Sequence, residues 1–469
     1  MPIESEHPEY RENSPRWKKC DDIYQGSFAV KANGETYLPK PSGLEKGEYE
    51  AYVKRALFLN ATGRTVDGLS GMIINSTHDL KVPDNFDYLK ENMDGQNTNS
   101  KKAIRLYSEE LLKTGKFGIF LDRSVDGSGP YLVLYPALTI TNWNHDDNGD
   151  LDLVVLMESY TFQDPDDSYK ITQAIQFREL FMEEGVFHVR LWRKEDPGDS
   201  NGKFQIVPNS LVTPSNNSQT IDFIPFYIAN LSDDKIPIED LCDVNISHYH
   251  NSADIEHGRH LTALPTPWAA GSGLEGKLSI GSSTFIKMGD PSAKIGYLEF
   301  TGSGLNALKD GMAEKERQMA ILGARLLETQ KQTAETAETA RLHKLSDVSI
   351  LTRVANQIET TLNEILNQIE QWTGASDMLF TINSDFIDET ISPQEITALL
   401  SARIQGEISQ ETFLSRMKDG GILGDDVTVE DEIDRLKEEG ENTEQTPPTT
   451  PGDGQQLENN ATEEQQAQE

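Results

Sequence analysis

The run from Ile238 to Leu264 contains no proline and, apart from Gly258, no glycine; it then stops at Pro265 and Pro267. Pro237 suits the first turn of a helix, and the two later prolines cannot continue one. The composition then changes abruptly. Residues 268–300 are rich in Gly and Ser with strand-like pieces, KLSIGSSTFIKM and AKIGYLEF. A second helical run then places Leu305, Leu308, Met312, Met319, Leu322 and Leu326 at heptad spacing, interrupted by Lys315. A helix that leaves a body, makes a small β excursion and returns as a helix is a stalk with a tip. One stalk has no core of its own, whereas copies set side by side in a ring bury each other's seams.

The flanking segments fit a body for such a stalk. Tyr49 to Ile73 has helical spacing at Tyr52, Leu57, Thr62, Val66 and Leu69, and the Gly68/Gly71 pair predicts its end. Lys101 to Leu112 is a second amphipathic helix. Strands are expected in KFGIFLDRS and PYLVLYPALTITNW, and a hairpin in NHDDNGDLDLVVLMESY with Asn148-Gly149 as its turn. FRELFMEEGVFHVRLWRK and FQIVPNS continue the β pattern to about Phe226, so residues 1–226 read as one α+β unit. After the stalk, ETQKQTAETAETARLHK is polar and of low complexity. A third helix then carries Leu345, Val348, Leu351, Ile358, Leu362, Ile365, Ile369 and Trp372 in register. That seam is long for a modest core, which predicts burial between elements or subunits. A short helical unit spans about Ser392 to Glu439, and the Pro, Gln, Glu and Thr beyond it are a disordered composition.

Composition narrows the function. At 469 residues the chain exceeds a single core, yet only 36% of it is hydrophobic. Net charge is −36, which argues against ordinary nucleic-acid binding because phosphate contacts need clustered Lys and Arg. From Asp425 to Glu469 fifteen Asp and Glu face only Arg435 and Lys437, and the remainder of the chain is acidic as well. No apolar run approaches the roughly 20 residues that span a bilayer, and MPIESEHPEY lacks a signal core, so a soluble cytoplasmic product is expected. Cys20 and Cys242 are too few for a disulfide framework or a thiolate zinc site.

Three motifs invite chemistry and each fails on spacing or context. His250, Asp254 and His257 share a helix face, but the histidines stand two turns apart, about 10.8 Å along the axis, where chelation favours one turn. Gly271-x-Gly273-x-x-Gly276-Lys277 fits a dinucleotide fingerprint and nearly a phosphate loop. It follows a proline-broken helix rather than a strand, and Leu278 stands where magnesium binding needs Ser or Thr. Asn144 to Asp152 resembles a calcium loop, but Val155 occupies the closing glutamate's place. There is no G-x-S-x-G elbow. No enzyme, cofactor or metal is expected.

The order of these parts, with several long stretches, resembles the portal proteins of tailed bacteriophages, in particular a portal-like family long filed as a domain of unknown function. The stretches are YLPKP (Tyr37 to Pro41), RALFLNATGRTVDGLSGMI (Arg55 to Ile73) and DLCDVNISHYHNSADIEHGRHLTALPTPWAAG (Asp240 to Gly271). YLEFTGSGLNALKD, QMAILGARLLE, ETAETAR, SDVSIL, the helix to QWTG and GEISQETFLSRMKDGGIL come after them in order, so the likeness covers about residues 10–436. The resemblance implies an α+β portal fold with a wing (1–237), a stem helix (238–264), a clip (265–300) and a second stem helix (301–328). A tunnel-loop region (329–345), a long wing helix (346–374) and a crown (375–439) would come next, with an acidic tail (440–469). It implies a dodecameric ring at one capsid vertex, in the virion and in the host cytoplasm during assembly. Double-stranded DNA would pass through it in packaging and ejection. Its partners would be its own copies, the terminase large subunit, a head-tail adaptor and the major capsid protein, with no membrane. The clip would dock partners through Pro267, Trp268, Lys277 and Lys287, and Lys331, Arg341 and Lys344 would face DNA. The alternative is a coiled-coil scaffold or adaptor. An acidic channel suits DNA that must slide, since each lysine contact would add friction.

Overall fold

A computed structural model describes residues 2–123, 129–163, 169–196, 202–216, 219–231, 235–262, 266–271, 294–298, 303–324, 337–383 and most of 399–419, with a few single positions besides. The chain divides into two compact units, Met1–Phe386 and Ile387–Glu469. The mixture of helices and mainly antiparallel strands is an α+β fold.

The first unit opens with helices: α1 (Pro8–Gln25), α2 (Ser27–Ala32), α3 (Lys46–Arg55) and α4 (Ala61–Asn75). The single helix expected over Tyr49 to Ile73 is therefore two. Asn60 makes the break, because its side chain caps α4 by accepting from the Gly63 N–H at 2.9 Å. Nor do Gly68 and Gly71 end α4, which runs through both. Buried Thr65, Val66, Ser70 and Ile73 pack that helix firmly enough to outweigh the roughly 1 kcal/mol that a glycine costs.

After β1 (His78–Lys81) and the single turn α5 (Tyr88–Glu91), α6 (Ser100–Thr114) leads through Gly115, in the left-handed conformation, into β2 (Lys116–Arg123). β2 is the middle of a three-stranded sheet with β3 (Pro130–Pro136) and β11 (Phe226–Asn230). Gly118 is required in it: a Cβ there would stand 2.2 Å from the Phe226 ring. The second sheet has β4 (Ile140–His145), β5 (Leu151–Gln163), β6 (Ile171–Glu183), β7 (Val186–Lys194) and β8 (Phe204–Ile206) in sequential antiparallel order. Its first turn is the hairpin expected at Asn148-Gly149. Gly149 has φ 90°, and the Asp146 carboxylate accepts from the backbone of Asn148 (2.8 Å) and Asp150 (3.0 Å), so a calcium-like sequence serves as a turn. β9 (Ser215–Asn216) and β10 (Gln219–Thr220) form a small separate pair.

The stalk comes next, as α7 (Glu239–Thr262), β12 (Thr266–Ala270), β13 (Lys294–Leu298) and α8 (Ser303–Met319). α8 stops short of the expected 328: residues 320–324 form a π turn in which Gly323 has φ 115°. The next helix, α9 (Ala337–Thr373), begins inside the stretch expected to be a loop to residue 345. β14 (Leu379–Ile382) then pairs antiparallel with β1, His78 opposite Ile382. The segment after 374 therefore belongs to the first unit as far as Phe386 rather than opening the second. In the second unit α10 (Gln410–Asp419) starts at Ser409, whose hydroxyl accepts from the Thr412 N–H at 3.0 Å.

One apolar core runs from α1 through β2 and α6 to α9. Leu351, Val354, Ile358, Leu362, Ile365 and Ile369 are all buried in it. The described part of the third-helix seam thus packs between elements of its own chain, with Trp372 partly buried at its end. Leu345 and Val348 lie among side chains outside the described residues.

Candidate functional site

The candidate site is the α7–tip–α8 hairpin, and its root shows why the sequence holds it in place. α7 leaves the body with Glu239 paired to Arg16 (2.5 and 2.9 Å) and with Lys19 bridging to Asp243 at 2.6 Å. Further along the helix, the wholly buried Asn245 accepts from the backbone N–H and the hydroxyl of Thr62 (3.2 and 3.0 Å) and donates to the Leu59 carbonyl at 2.8 Å. A single amide thereby satisfies a free N–H in the first turn of α4 and a carbonyl of the link before it. Cys20 and Cys242 meet here as buried free thiols, and the hydrogen bond between them pushes the Cys242 thiol up.

The histidines that opened the metal question each have a mechanical place. His250 bonds the Tyr37 carbonyl through Nε2 at 2.7 Å, and His257 meets Arg55 at 3.2 Å and stacks edge-on to Tyr52. Asp254, the third member of the imagined triad, accepts from the Tyr52 hydroxyl at 2.7 Å. Among the described residues no three His, Cys, Asp or Glu converge as metal ligands. His260 is exposed. His248 is buried, and its Nε2 lies 3.3 Å from Glu316 of α8.

α7 and α8 pack antiparallel: the Ser247 carbonyl accepts from Lys315 (2.9 Å), Asn251 faces Gly311 and Gly258 faces Leu305. A Cβ on Gly258 would stand 2.7 Å from Leu305, so this glycine sets the closeness of the helices. Of the heptad positions, Leu305, Leu308 and Met312 are half-buried, Met319 is fully buried with Leu241 and Ala61, Leu322 is exposed, and Leu326 lies outside the described residues. A cavity of about 480 Å³ between the two helices and Leu57–Leu59 is lined by Ile255, Met312, Lys309 and His248.

At the tip β12 and β13 pair antiparallel, with Pro267 opposite Tyr297 and Trp268 opposite Gly296. The Trp268 ring covers Gly296, where a Cβ would lie 3.0 Å from the indole nitrogen, and remains 42% exposed. Lys277 and Lys287 lie outside the described residues, as does the glycine run after Gly271. Lys331 does too, and Arg341 and Lys344 sit on the backbone of α9 with side chains outside the described set. Of the expected docking residues, Pro267 and Trp268 are the two that fall among the described ones, adjacent on β12. Asn245 and the Tyr52–Asp254 pair were missed by sequence reasoning, and no local signal marks them.

Residues 237–373, which span the hairpin and α9, match the family described as "Domain of unknown function (DUF4055)". No curated protein matches the chain. Among solved structures it is similar to a chain of the virion of a native gene transfer agent particle: 12% identity, 83% of this chain and 98% of that one, TM-score 0.41. A chain from the neck of the empty particle gives 12% identity, 77% and 90% coverage, and TM-score 0.41. An HK97-family phage portal protein from Corynebacterium diphtheriae gives 12% identity, 74% and 98% coverage, and TM-score 0.32.

Proposed function

We propose that this chain is the subunit of a phage portal, a ring at one capsid vertex through which double-stranded DNA enters during packaging and leaves at ejection. The observation that carries the reading is the α7–β12–β13–α8 hairpin: two antiparallel helices rooted in an α+β body and ending in a small β tip. It agrees with the ordered sequence stretches that resemble portal proteins. In this reading α7 and α8 line the stem and residues 265–300 are the clip that meets the terminase large subunit and later a head-tail adaptor. Lys331, Arg341 and Lys344 are the proposed transient DNA contacts. The ring is a dodecamer of the virion, seated among major capsid proteins and assembled in the host cytoplasm. No catalytic step is assigned to the chain, since nucleotide hydrolysis belongs to the motor that docks on it.

The competing reading, a coiled-coil scaffold, needs an outward-facing helix seam, and the described seam of α9 is instead the chain's own core. Negative-stain images and mass photometry of purified protein decide between them. Stalked rings with a central hole are expected; rods or dimers would overturn the proposal.

A further inference from the structure

We infer that the outer face of the five-stranded sheet, prolonged onto the β5–β6 ribbon, is a contact surface for a second copy of this chain. The inference rests on the self-assembly proposed above and specifies where it takes place.

The sheet has two unlike faces. Val154, Leu156, Leu180 and Val189 point into the body and join its core. On the opposite face, polar residues would be the rule for an antiparallel sheet with one side in water. Instead Met157, Phe177, Trp192 and Ile206 form one row across four strands, with Phe177 buried against Phe204 and Met157 and Trp192 half-buried, and Ile175 and Ile171 carry the apolar face on along β6. Ile171 is 73% exposed, Ile175 50% and Ile206 46%. Contiguous apolar surface of this kind marks an interaction site more often than chance exposure.

The ribbon adds open edges to the apolar row. β4 pairs with β5 only as far as Leu156, and β7 pairs with β6 only from Phe177 onward. From Met157 to Gln163, opposite Ile171 to Phe177, β5 and β6 run on as a two-stranded arm. Such a ribbon is marginal in water by itself, and its edges are templates for pairing. Its inner side is served by Arg193, whose guanidinium lies 4.2 Å over the Tyr160 ring. Its outer side is a neutral row that pairs Ser159 with Ile175, Thr161 with Gln173 and Gln163 with Ile171.

Charge selects the occupant. The chain carries −36, so two copies repel over most of their surfaces. The outer face of the arm, from Met157 to Gln163 and Ile171 to Phe177, bears no charged side chain. At its root the Glu179 carboxylate is already taken by Arg190 (2.5 and 2.9 Å) and by the Trp192 indole N–H at 2.6 Å. A basic partner would seek open carboxylates, and among the described residues the outer side of the arm carries none. An equally acidic partner needs neutral apolar area, and this face supplies it. That partner is another copy.

The test is Ile171→Glu with Ile175→Glu, both on exposed positions, so the monomer should keep its circular dichroism and melting temperature. Mass photometry should show association weakened by about 100-fold or more, since two charges would be forced against apolar surface. In parallel, Gln173→Cys labelled with a polarity-sensitive dye should shift to the blue on assembly; Cys20 and Cys242 are buried and stay unlabelled. If the wild type assembles and the charged variant assembles equally, with no dye shift, the contact lies elsewhere while the ring reading stands. If the wild type gives only dimers that the double substitution abolishes, this surface is upheld and the ring fails. A wild type that stays monomeric overturns both.

Discussion

Asn245 shows how one residue joins the stalk to the body. Its amide is the partner of Thr62 and of Leu59, in a setting where Asn245 and Thr62 are wholly buried. Asn245→Ala strands a buried N–H and a carbonyl, so we expect a loss of about 2–3 kcal/mol in urea unfolding. His248 makes the fold acid-sensitive. Burial holds its pKa below that of free imidazole, Lys315 adds to the lowering, and Glu316 opposes it without prevailing. The unfolded chain therefore takes up a proton that the folded chain refuses. The stability so gained is present above about pH 6.5 and is lost as the pH falls below that value. His7 and His257 are lowered in the same sense, again chiefly by burial. The melting temperature should drop between about pH 7 and pH 5, and His248→Gln should make that drop shallower. An unchanged slope would remove His248 from the account.

At the scale of elements, α9 does more than fill the core. Its side chains hold the edge of β14 that β1 leaves open: Asn363 brackets Phe380 by accepting from its N–H (2.8 Å) and donating to its carbonyl (2.9 Å). Glu359 accepts from the Ile382 N–H at 3.3 Å and Glu370 from the Met378 N–H at 2.7 Å. Glu370 therefore has a structural task, although by sequence it reads as an exposed position on the far side of the seam. Glu370→Lys should cost about 1–2 kcal/mol, measured by thermal unfolding. Asn367→Lys, on the exposed side of the same helix, should be neutral. Leu362→Asp with Ile365→Asp places two charges where neither side chain meets solvent. The expected result is loss of the folded chain itself, read as collapsed circular dichroism. A folded monomer that merely fails to assemble would mean the seam lies between subunits after all.

For the whole molecule, assembly should not depend on the acidic tail. Residues beyond about 440 carry almost no apolar side chains and cannot offset their ordering entropy. Deleting Asn442 to Glu469 should leave the number of subunits per particle unchanged by light scattering, and a monomeric truncation product would contradict this. The charge that remains is still strongly negative, so assembly should strengthen with added salt as repulsion between copies is screened.

The α+β class, the helix–β tip–helix order, the hairpin at Asn148-Gly149 and the strand run from Lys116 to Ile206 were legible in the sequence. They rest on local rules: periodicity, the fixed φ of proline and the freedom of glycine act between near neighbours. The break at Ala56–Asn60 was legible too, in the asparagine cap, but was outweighed by the apolar spacing around it. Local rules cannot carry the identity of a distant partner. Only the tertiary structure decided that α9 is buried in its own chain, that His248 is internal while His260 is not, and that β14 returns to β1. Whether an apolar stripe meets its own body or another copy depends on which surfaces the folded chain has already covered. That is settled by packing across hundreds of residues rather than by spacing within a helix.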